Sequence, residues 1–497
     1  MKKRTKKSIA LLLSVILIVC AIPFAASSVF AETEGIFKYE VANGNATITG
    51  LVDNKYSGDL EIPSTVGGYP VISIGDRAFS IYVKLKSITI PDSVTSIGQG
   101  AFEYCLNLTS VTIGNSVTSI GEEAFCCCSE LVSVTIPDSV TLIGGSAFCG
   151  CSGLKSVKIS NSLTSVSEGA FYGCSELTSV TIPDSVTSIG EDAFGGCLRL
   201  KSVTISKSVT SISNGAFYGC SVLSSLTIPD SVTSIGEEAF CGCSGLKSVT
   251  IPDSVITIGE NAFYSCLALT SVKIGNSVTA IGYRAFKDCR MLKSVKIGNS
   301  VTTIGGSAFS NCSALESVKI GNSVISIGDG AFSECRKLTS VTIPSGVKRV
   351  GDSAFNYCVG LTSITIPDSV TFIGGKAFEG CTGLKDVYFT GTKEQKSAMC
   401  ICYYNTYLLG AAWHNNYKKT FSITYDLSGG KNNPDNPKKY TSGMTDIVLK
   451  SPTRKGYVFK NWYNGSEKIT AIKKDSAGDI TLTAKWTAIT YNITYKL

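Results

Sequence analysis

The dipeptide Ala-Phe recurs at a fixed interval of 23 residues through most of this chain. The interval is kept over 14 units without one insertion or deletion. The phenylalanines of these units are Phe79, Phe102, Phe125, Phe148, Phe171, Phe194, Phe217, Phe240, Phe263, Phe286, Phe309, Phe332, Phe355 and Phe378. A fixed period of this length is the signature of a solenoid, in which each unit packs only on its two neighbours. A solenoid presents an extended surface, so the period favours binding over catalysis.

Each unit is predicted to contribute short strands, turns and a share of a common core. In the unit that begins at Leu177, apolar residues alternate with polar ones up to Ile182, as in a strand with one buried face. Pro183 ends this strand, because proline cannot donate to a β-ladder, and Gly190 is expected to allow a later turn. Ordering each residue costs roughly 1–2 kcal/mol, whereas burying a large apolar side chain returns about 1.5–3 kcal/mol. One unit is therefore unstable alone and must stack on others.

The repeated pattern L-x-S-V-x-I-P-x-S-V-x-x-I-G-x-x-A-F-x-x-C resembles the BspA-type leucine-rich repeat of bacterial surface proteins. The resemblance implies a mainly β, right-handed and curved solenoid that is used for adhesion or protein–protein contact. We assign residues 32–75 to an N-terminal β cap, 76–386 to the solenoid and 387–420 to a C-terminal cap. A solenoid needs such caps to cover the core at its two ends.

The tail belongs to a different kind of module. Residues 421–430, 452–463 and 479–486 form three blocks that resemble the Listeria–Bacteroides repeat, also called the internalin B-type repeat. This resemblance implies a small β-grasp-like module over residues 421–486. Residues 487–497 resemble the first strand of a further repeat that is truncated.

The N-terminus predicts export. Residues 1–31 carry five Lys/Arg, then an apolar stretch, then Val-Phe-Ala as a cleavage site, which is typical of a signal peptide. The chain is therefore expected to be secreted, extracellular or at the cell surface, with membrane contact only through the signal peptide or an anchor outside this sequence. An uncleaved membrane anchor and lipidation at Cys20 are the two alternatives.

Charge separates the two modules as well. Residues 32–390 hold 24 Lys/Arg and 31 Asp/Glu, whereas residues 391–497 hold 16 Lys/Arg and 7 Asp/Glu. An acidic solenoid with a basic tail indicates different surroundings for each part.

Thirteen of the 20 cysteines lie three residues after a repeat phenylalanine. A column at one solenoid position predicts buried, structural thiols rather than disulfides, because parallel Cβ vectors disfavour pairing. Cys126 and Cys149 lie off this column, each directly after a phenylalanine in consecutive units. They would face each other across one strand spacing and form a candidate disulfide, with free thiols as the alternative.

The sequence offers no catalytic site. Its only histidine is His414, and no cysteine spacing is typical of a zinc site. The repeat glycines are turn residues rather than a phosphate loop, and basic residues do not alternate with aromatic ones as in a nucleic-acid interface. We therefore expect no enzyme activity, no cofactor, no metal and no nucleic-acid partner.

One outward-facing position on the strand of each unit is the best place to look for a binding site. Most units carry Thr there, but three consecutive units carry Lys273, Lys296 and Lys319, and the same units replace Pro-Asp-Ser by Gly-Asn-Ser. Together with Arg284 and Lys293, these lysines are predicted to form a positive patch for an anionic partner, such as an acidic protein loop or a charged glycan. Neutral drift during repeat duplication is the alternative.

The sequence therefore predicts an adhesin-like, monomeric binding protein. Its partner would be an extracellular protein or glycan on a host cell, on matrix or on a neighbouring bacterium. Two other functions fit the same sequence, namely a structural surface spacer without a specific ligand and a non-catalytic region of a larger surface enzyme.

Overall fold

The computed structural model describes residues 30–490, apart from residues 419, 442, 443, 466, 474, 475 and 477. These residues form a β-solenoid of about 16 turns built from 23-residue repeats, followed by a small β-rich module, which confirms the predicted fold class. Residues 1–29 of the predicted signal peptide and residues 491–497 of the predicted further repeat lie outside the described residues.

The N-terminal end of the solenoid is closed by a set of longer strands. These strands are Phe30–Glu34, Phe37–Ala42, Asn45–Leu51, Gly58–Glu61, Thr65–Val66 and Tyr69–Ile74. The first three pair antiparallel with one another, and the third pairs in parallel with Tyr69–Ile74. The antiparallel part thus covers the first core layer, and the parallel pairing passes directly into the repeats.

Each repeat contributes a strand on one side of the coil, which we call the front strand. The front strands are Leu85–Thr89, Ser110–Thr112, Ser133–Thr135, Ser156–Lys158, Ser179–Thr181, Ser202–Thr204, Ser248–Thr250, Ser271–Lys273, Ser294–Lys296, Ser317–Lys319, Ser340–Thr342, Ser363–Ile366 and Asp386–Phe389. Neighbouring front strands pair in parallel with a register of one unit, so that Ser133 lies opposite Ser156, but the ladder is interrupted between Ser317–Lys319 and Ser340–Thr342. In the unit around Ser225 the pairing is reduced to a single bridge with Ser202.

A second, two-residue strand follows in each repeat, which we call the side strand. The side strands are Ser96–Ile97, Ser119–Ile120, Leu142–Ile143, Ser165–Val166, Ser188–Ile189, Ser211–Ile212, Ser234–Ile235, Thr257–Ile258, Ala280–Ile281, Thr303–Ile304, Ser326–Ile327, Arg349–Val350 and Phe372–Ile373. They also pair in parallel, unit on unit, with one interruption between Leu142–Ile143 and Ser165–Val166. The remaining part of each unit is a series of turns.

The repeat phenylalanines form one continuous stack through the core. Consecutive rings have centroids 5.0–5.5 Å apart and planes within 2–13° of parallel. The backbone repeats the same link, as in the Phe125 N–H that donates to the carbonyl of Ala147 at 2.7 Å. Because every ring is fully buried and all except the end rings Phe79 and Phe378 lie between two others, the 23-residue interval cannot change without breaking the stack.

The cysteine column is buried, as predicted, and its thiols also form hydrogen bonds. Each of the 13 column thiols donates to the phenylalanine carbonyl of the preceding unit at 3.1–3.4 Å. Burial raises the pKa of the Cys197 thiol to about 12. The first repeat has Tyr82 at this position, and the Tyr82 hydroxyl accepts from the Leu51 N–H of the cap at 3.2 Å.

The prediction that Gly190 allows a turn through its backbone conformation is wrong. Gly190 does not have a positive φ, and the left-handed residues of its turn are Asp192 and Gly196. A Cβ at Gly190 would lie 2.7 Å from backbone atoms of Ser167 and Glu168 in the preceding unit. Glycine is thus favoured there by the close approach of two coils and not by the turn conformation.

The C-terminal cap consists of two short helices and two short strands. Helix Lys393–Ala398 begins with a capping box at Thr392, and helix Thr406–Gly410 buries Leu408. Strand Cys400–Ile401 continues the side strands, and strand Ala412–His414 continues the front strands. The cap thereby covers the last core layer.

The C-terminal module has its own core. Its strands are Thr420–Asp426, Lys439–Thr441, Ile447–Val448, Tyr457–Asn464, Glu467–Ile469, Ala471–Ile472 and Ile480–Ala488. The first and last of these pair in parallel, and both pack around buried Trp462 and Leu482. Across the described part of the chain, no helix is long and apolar enough to cross a lipid bilayer.

Candidate binding site

Three of the predicted lysines form a continuous column on the front strands. Lys273, Lys296 and Lys319 each end a front strand, and their side chains are exposed. Lys296 and Lys319 are direct partners in the parallel ladder, and Ser271 and Ser294 hold Lys273 in the same register. Like charges at one strand spacing repel each other, so the column destabilises the bare surface.

The structure places the other two basic residues differently. Lys293 is exposed one residue before the front strand Ser294–Lys296, next to the lysine column. Arg284 lies instead in the turn after the side strand Ala280–Ile281, with its guanidinium 4.6 Å from the ring centre of Tyr283. The patch that the front strands define therefore contains the four lysines and not Arg284.

Asparagines flank the lysine column. Asn276, Asn299 and Asn322 follow the front strands in these three Gly-Asn-Ser units, where most other units carry Asp. They stack from coil to coil, as shown by the Asn322 N–H that donates to the Asn299 side-chain oxygen at 3.2 Å. The replacement of Asp by Asn was visible in the sequence, and the structure shows that it brings amides beside the lysines.

The C-terminal module lies against this part of the front strands. The Lys319 ammonium donates to the backbone oxygen of Asp479 at 3.0 Å. The Asp479 carboxylate is turned toward its own module, where it accepts from the Ser422 N–H at 2.7 Å. This contact joins residues 160 positions apart, and the periodic pattern of the sequence does not predict it.

A cleft of about 660 Å³ lies between the solenoid and the module. Its solenoid wall includes Lys296, Lys319 and the asparagine column, and its module wall includes Asn464 and Glu467. Ammonium and amide groups on one wall can bind carboxylate, sulfate or hydroxyl oxygens. Lys273 lies beyond this cleft, beside Asp230 and Asp253 in a shallower depression of about 260 Å³.

Between the module and the C-terminal cap, the residues equivalent to the three lysines in the last repeats are covered by other side chains. Thr365 is buried, and the Tyr388 ring packs on His414 and Tyr417 with centroids 4.9 and 4.5 Å away. His414 Nε2 lies 2.8 Å from Asp386 Oδ1. The histidine is thus part of an aromatic and polar cluster that holds the cap.

Within residues 30–490, leaving aside the few positions not described, no group of three or more His, Cys, Asp or Glu side chains is arranged to hold a metal ion. Cys126 and Cys149 lie in adjacent units as free thiols. Their disulfide therefore stays a prediction.

Comparison with known proteins defines the class as a bacterial leucine-rich repeat solenoid. The family model of the BspA type leucine rich repeat region, which describes six repeat copies, matches the four overlapping ranges 55–178, 164–293, 210–332 and 279–408, and the Listeria-Bacteroides repeat domain matches residues 421–485. These matches cover more than half of the chain, so the protein belongs to the BspA-type leucine-rich repeat family. Both repeat types are typical of surface proteins, and leucine-rich repeat proteins of this kind are typically non-enzymatic.

One solved structure shows the same fold, and a second is reported for its similarity in sequence. A leucine-rich repeat protein from Bacteroides ovatus ATCC 8483 is 29% identical, with a TM-score of 0.62, over 78% of this chain and 100% of that chain. A leucine rich cell surface protein from Faecalibacterium prausnitzii A2-165 is 31% identical, with a TM-score of 0.43, over 76% of this chain and 99% of that chain. A comparison with curated protein sequences found no significant match.

Proposed function

We propose that this protein is an adhesin-like binding protein of the bacterial surface and that it acts without catalysis. The observation that supports this most is the run of three consecutive lysines, Lys273, Lys296 and Lys319, at a position where most units carry Thr; Lys296 and Lys319 also line the cleft. The partner is an extracellular anionic group, carried by an acidic protein loop or a charged glycan.

The energetics favour a partner of this charge. Three exposed ammonium groups repel one another at one strand spacing, and a bound anion would relieve that repulsion. The solenoid around them carries more Asp and Glu than Lys and Arg, so the column would be a local exception on an acidic surface. Such a local charge selects partners and speeds their association more than it raises raw affinity.

The test replaces the column and measures binding. In the variant Lys273→Thr/Lys296→Thr/Lys319→Thr, each unit regains the residue found in most other units. Exposed charge contacts are worth about 0.2–1 kcal/mol each, so we expect affinity for the anionic partner to fall roughly tenfold. Binding is measured on host cells, on matrix proteins and on an array of sulfated and carboxylated glycans, at two salt concentrations.

The chain provides a control with the same change in charge. Lys155, Lys201 and Lys247 are exposed residues directly before front strands, outside the column. Their triple replacement by Thr is expected to leave binding and its salt dependence unchanged. Equal binding by both triple variants would refute the lysine column as the site, and absence of any reproducible partner for the wild-type chain would favour the structural spacer.

A further inference from the structure

Three thiols outside the buried column meet at one place on the solenoid. Cys126 and Cys127 follow Phe125, and Cys149 follows Phe148 in the next unit. Cys127 and Cys149 are partly exposed, whereas Cys126 is nearly buried beneath them. The column thiols are fully buried and donate to carbonyls, so this cluster differs from them in both respects.

The geometry of the stack holds these thiols close together. The Phe125 and Phe148 rings are 5.2 Å apart, and the Cys127 N–H donates to the Cys149 carbonyl at 2.6 Å. Cys126 Sγ lies 3.5 Å from Cys127 Sγ, and Cys149 occupies the same repeat position as Cys126 in the next coil. A coil spacing near 5 Å falls within the range of about 4.4–6.8 Å that a disulfide needs between Cα atoms.

Cys126 and Cys149 differ in the acidity of their thiols. The neighbouring Cys126 thiol lowers the pKa of Cys149 to about 7, against the smaller opposing effects of burial and of the Glu123 carboxylate. The pKa of Cys126 is raised, first by the neighbouring Cys149 thiol and then by burial. Cys174 is the next ionisable thiol on the far side of Cys149, and it is buried. Cys149 is therefore the thiol that loses its proton first.

We propose that Cys149 and Cys126 form a reactive dithiol whose substrate is an external disulfide. This inference is independent of the lysine column, because the two sites lie in different repeats. The product would be a disulfide that links two adjacent coils of the solenoid.

The reaction proceeds by two thiol–disulfide exchanges. The Cys149 thiolate attacks one sulfur of the external disulfide, forms a mixed disulfide and releases the other sulfur as a thiolate. Cys126 then loses its proton and attacks Cys149 Sγ, which forms the Cys126–Cys149 disulfide and releases the second thiolate. Two electrons pass from the protein to the external disulfide, and the protons of the two cysteines end on the two released thiols or in solvent.

Cys241 provides a matched control within the same molecule. It occupies the position directly after Phe240, equivalent to Cys126 and Cys149, but the neighbouring units carry Tyr218 and Tyr264 there. Cys241 is buried, and burial raises its pKa to about 12. Cys149 therefore has a thiol at the same repeat position of a neighbouring unit, whereas Cys241 has none.

The first experiment measures alkylation of the folded, full-length chain by iodoacetamide, with mass spectrometry at each cysteine. Because thiolate is the reactive form, we expect Cys149 to react about 100-fold faster than Cys241 at neutral pH and its rate to rise as the pH passes through 7. Equal rates at the two cysteines would overturn the proposal.

The second experiment uses oxidised glutathione as the external disulfide, followed by digestion with a glutamyl endopeptidase. Cleavage after Glu123, Glu130 and Glu168 separates Cys126 from Cys149, so a linked pair of peptides 124–130 and 131–168 reports the new bond. Cys126→Ser is expected to trap Cys149 as the mixed disulfide with glutathione, and Cys127→Ser is expected to leave the link intact. A Cys126–Cys127 bond in place of the cross-coil link, or no trapped adduct in Cys126→Ser, would refute the assignment.

Discussion

At the scale of single residues, the buried cysteines combine small size with a donor. The carbonyl of Phe240 accepts the N–H of Cys243 at 3.2 Å within its own unit and the thiol of Cys266 at 3.3 Å from the next. Alanine would fit the same space but would donate nothing. The sequence predicted the small apolar character of this column, but the carbonyl that receives each thiol could only be seen in the structure.

This role predicts the cost of losing one thiol. In Cys266→Ala, removal of the sulfur leaves a small cavity and takes one donor from the Phe240 carbonyl, so the free energy of unfolding should fall by about 1–2 kcal/mol. Cys266→Ser keeps a donor in the same place and should lose less. The measurement is denaturation by urea followed by circular dichroism. The matched control is Cys400→Ala, since the Cys400 side chain is exposed in the cap, and an equal loss in this control would contradict the argument.

At the scale of elements, the turns carry the main feature that sequence reasoning missed. Each repeat has left-handed residues at two fixed turn positions, and many of them are not glycine, such as Glu238, Asn311 and Ser353, with φ of 56°, 58° and 56°. A left-handed residue with a Cβ costs roughly 1–2 kcal/mol, which the packing of neighbouring coils must offset. The 23-residue period located the turns but could not show which residue in each turn has a positive φ, because many side-chain types occupy that position.

Ser353 allows this strain to be measured. Glycine already occupies the equivalent position at Gly100, Gly215 and Gly330, so Ser353→Gly should fit without rearrangement. We expect the free energy of unfolding to rise by about 0.5–1 kcal/mol, since relief of the strain exceeds the added freedom of the unfolded chain. Ser353→Ala removes the hydroxyl but keeps the Cβ, and it should give no gain. Thermal unfolding of both variants distinguishes them, and a gain in Ser353→Ala equal to that in Ser353→Gly would point to the hydroxyl instead.

At the scale of the whole molecule, prediction from the sequence succeeded where contacts repeat and failed where they occur once. The register of the front strands, the phenylalanine stack and the buried cysteine column all follow from one period. The contact between Lys319 and Asp479 does not, because it joins a repeat to a module of another kind. The three lysines lie on the front strands and their role in binding stays a prediction, whereas the module that forms the second wall of the cleft at Lys296 and Lys319 could not be foreseen.

The same reasoning predicts how the solenoid tolerates deletions. Removal of residues 218–240 takes out one complete unit, so Phe217 can stack on Phe263 as it now stacks on Phe240, at a centroid distance of 5.4 Å. Removal of residues 218–229 instead places half a unit in the stack and brings front strands against turns. Because each unit contacts only its neighbours, we expect the first deletion to keep cooperative unfolding, with a free energy of unfolding that depends slightly less on urea concentration. In the second deletion the free energy of unfolding should fall by several kcal/mol, about the cost of an unpaired core layer. Circular dichroism and urea denaturation of the two proteins test this, and equal stability of both deletions would show that the 23-residue register is not what holds the solenoid together.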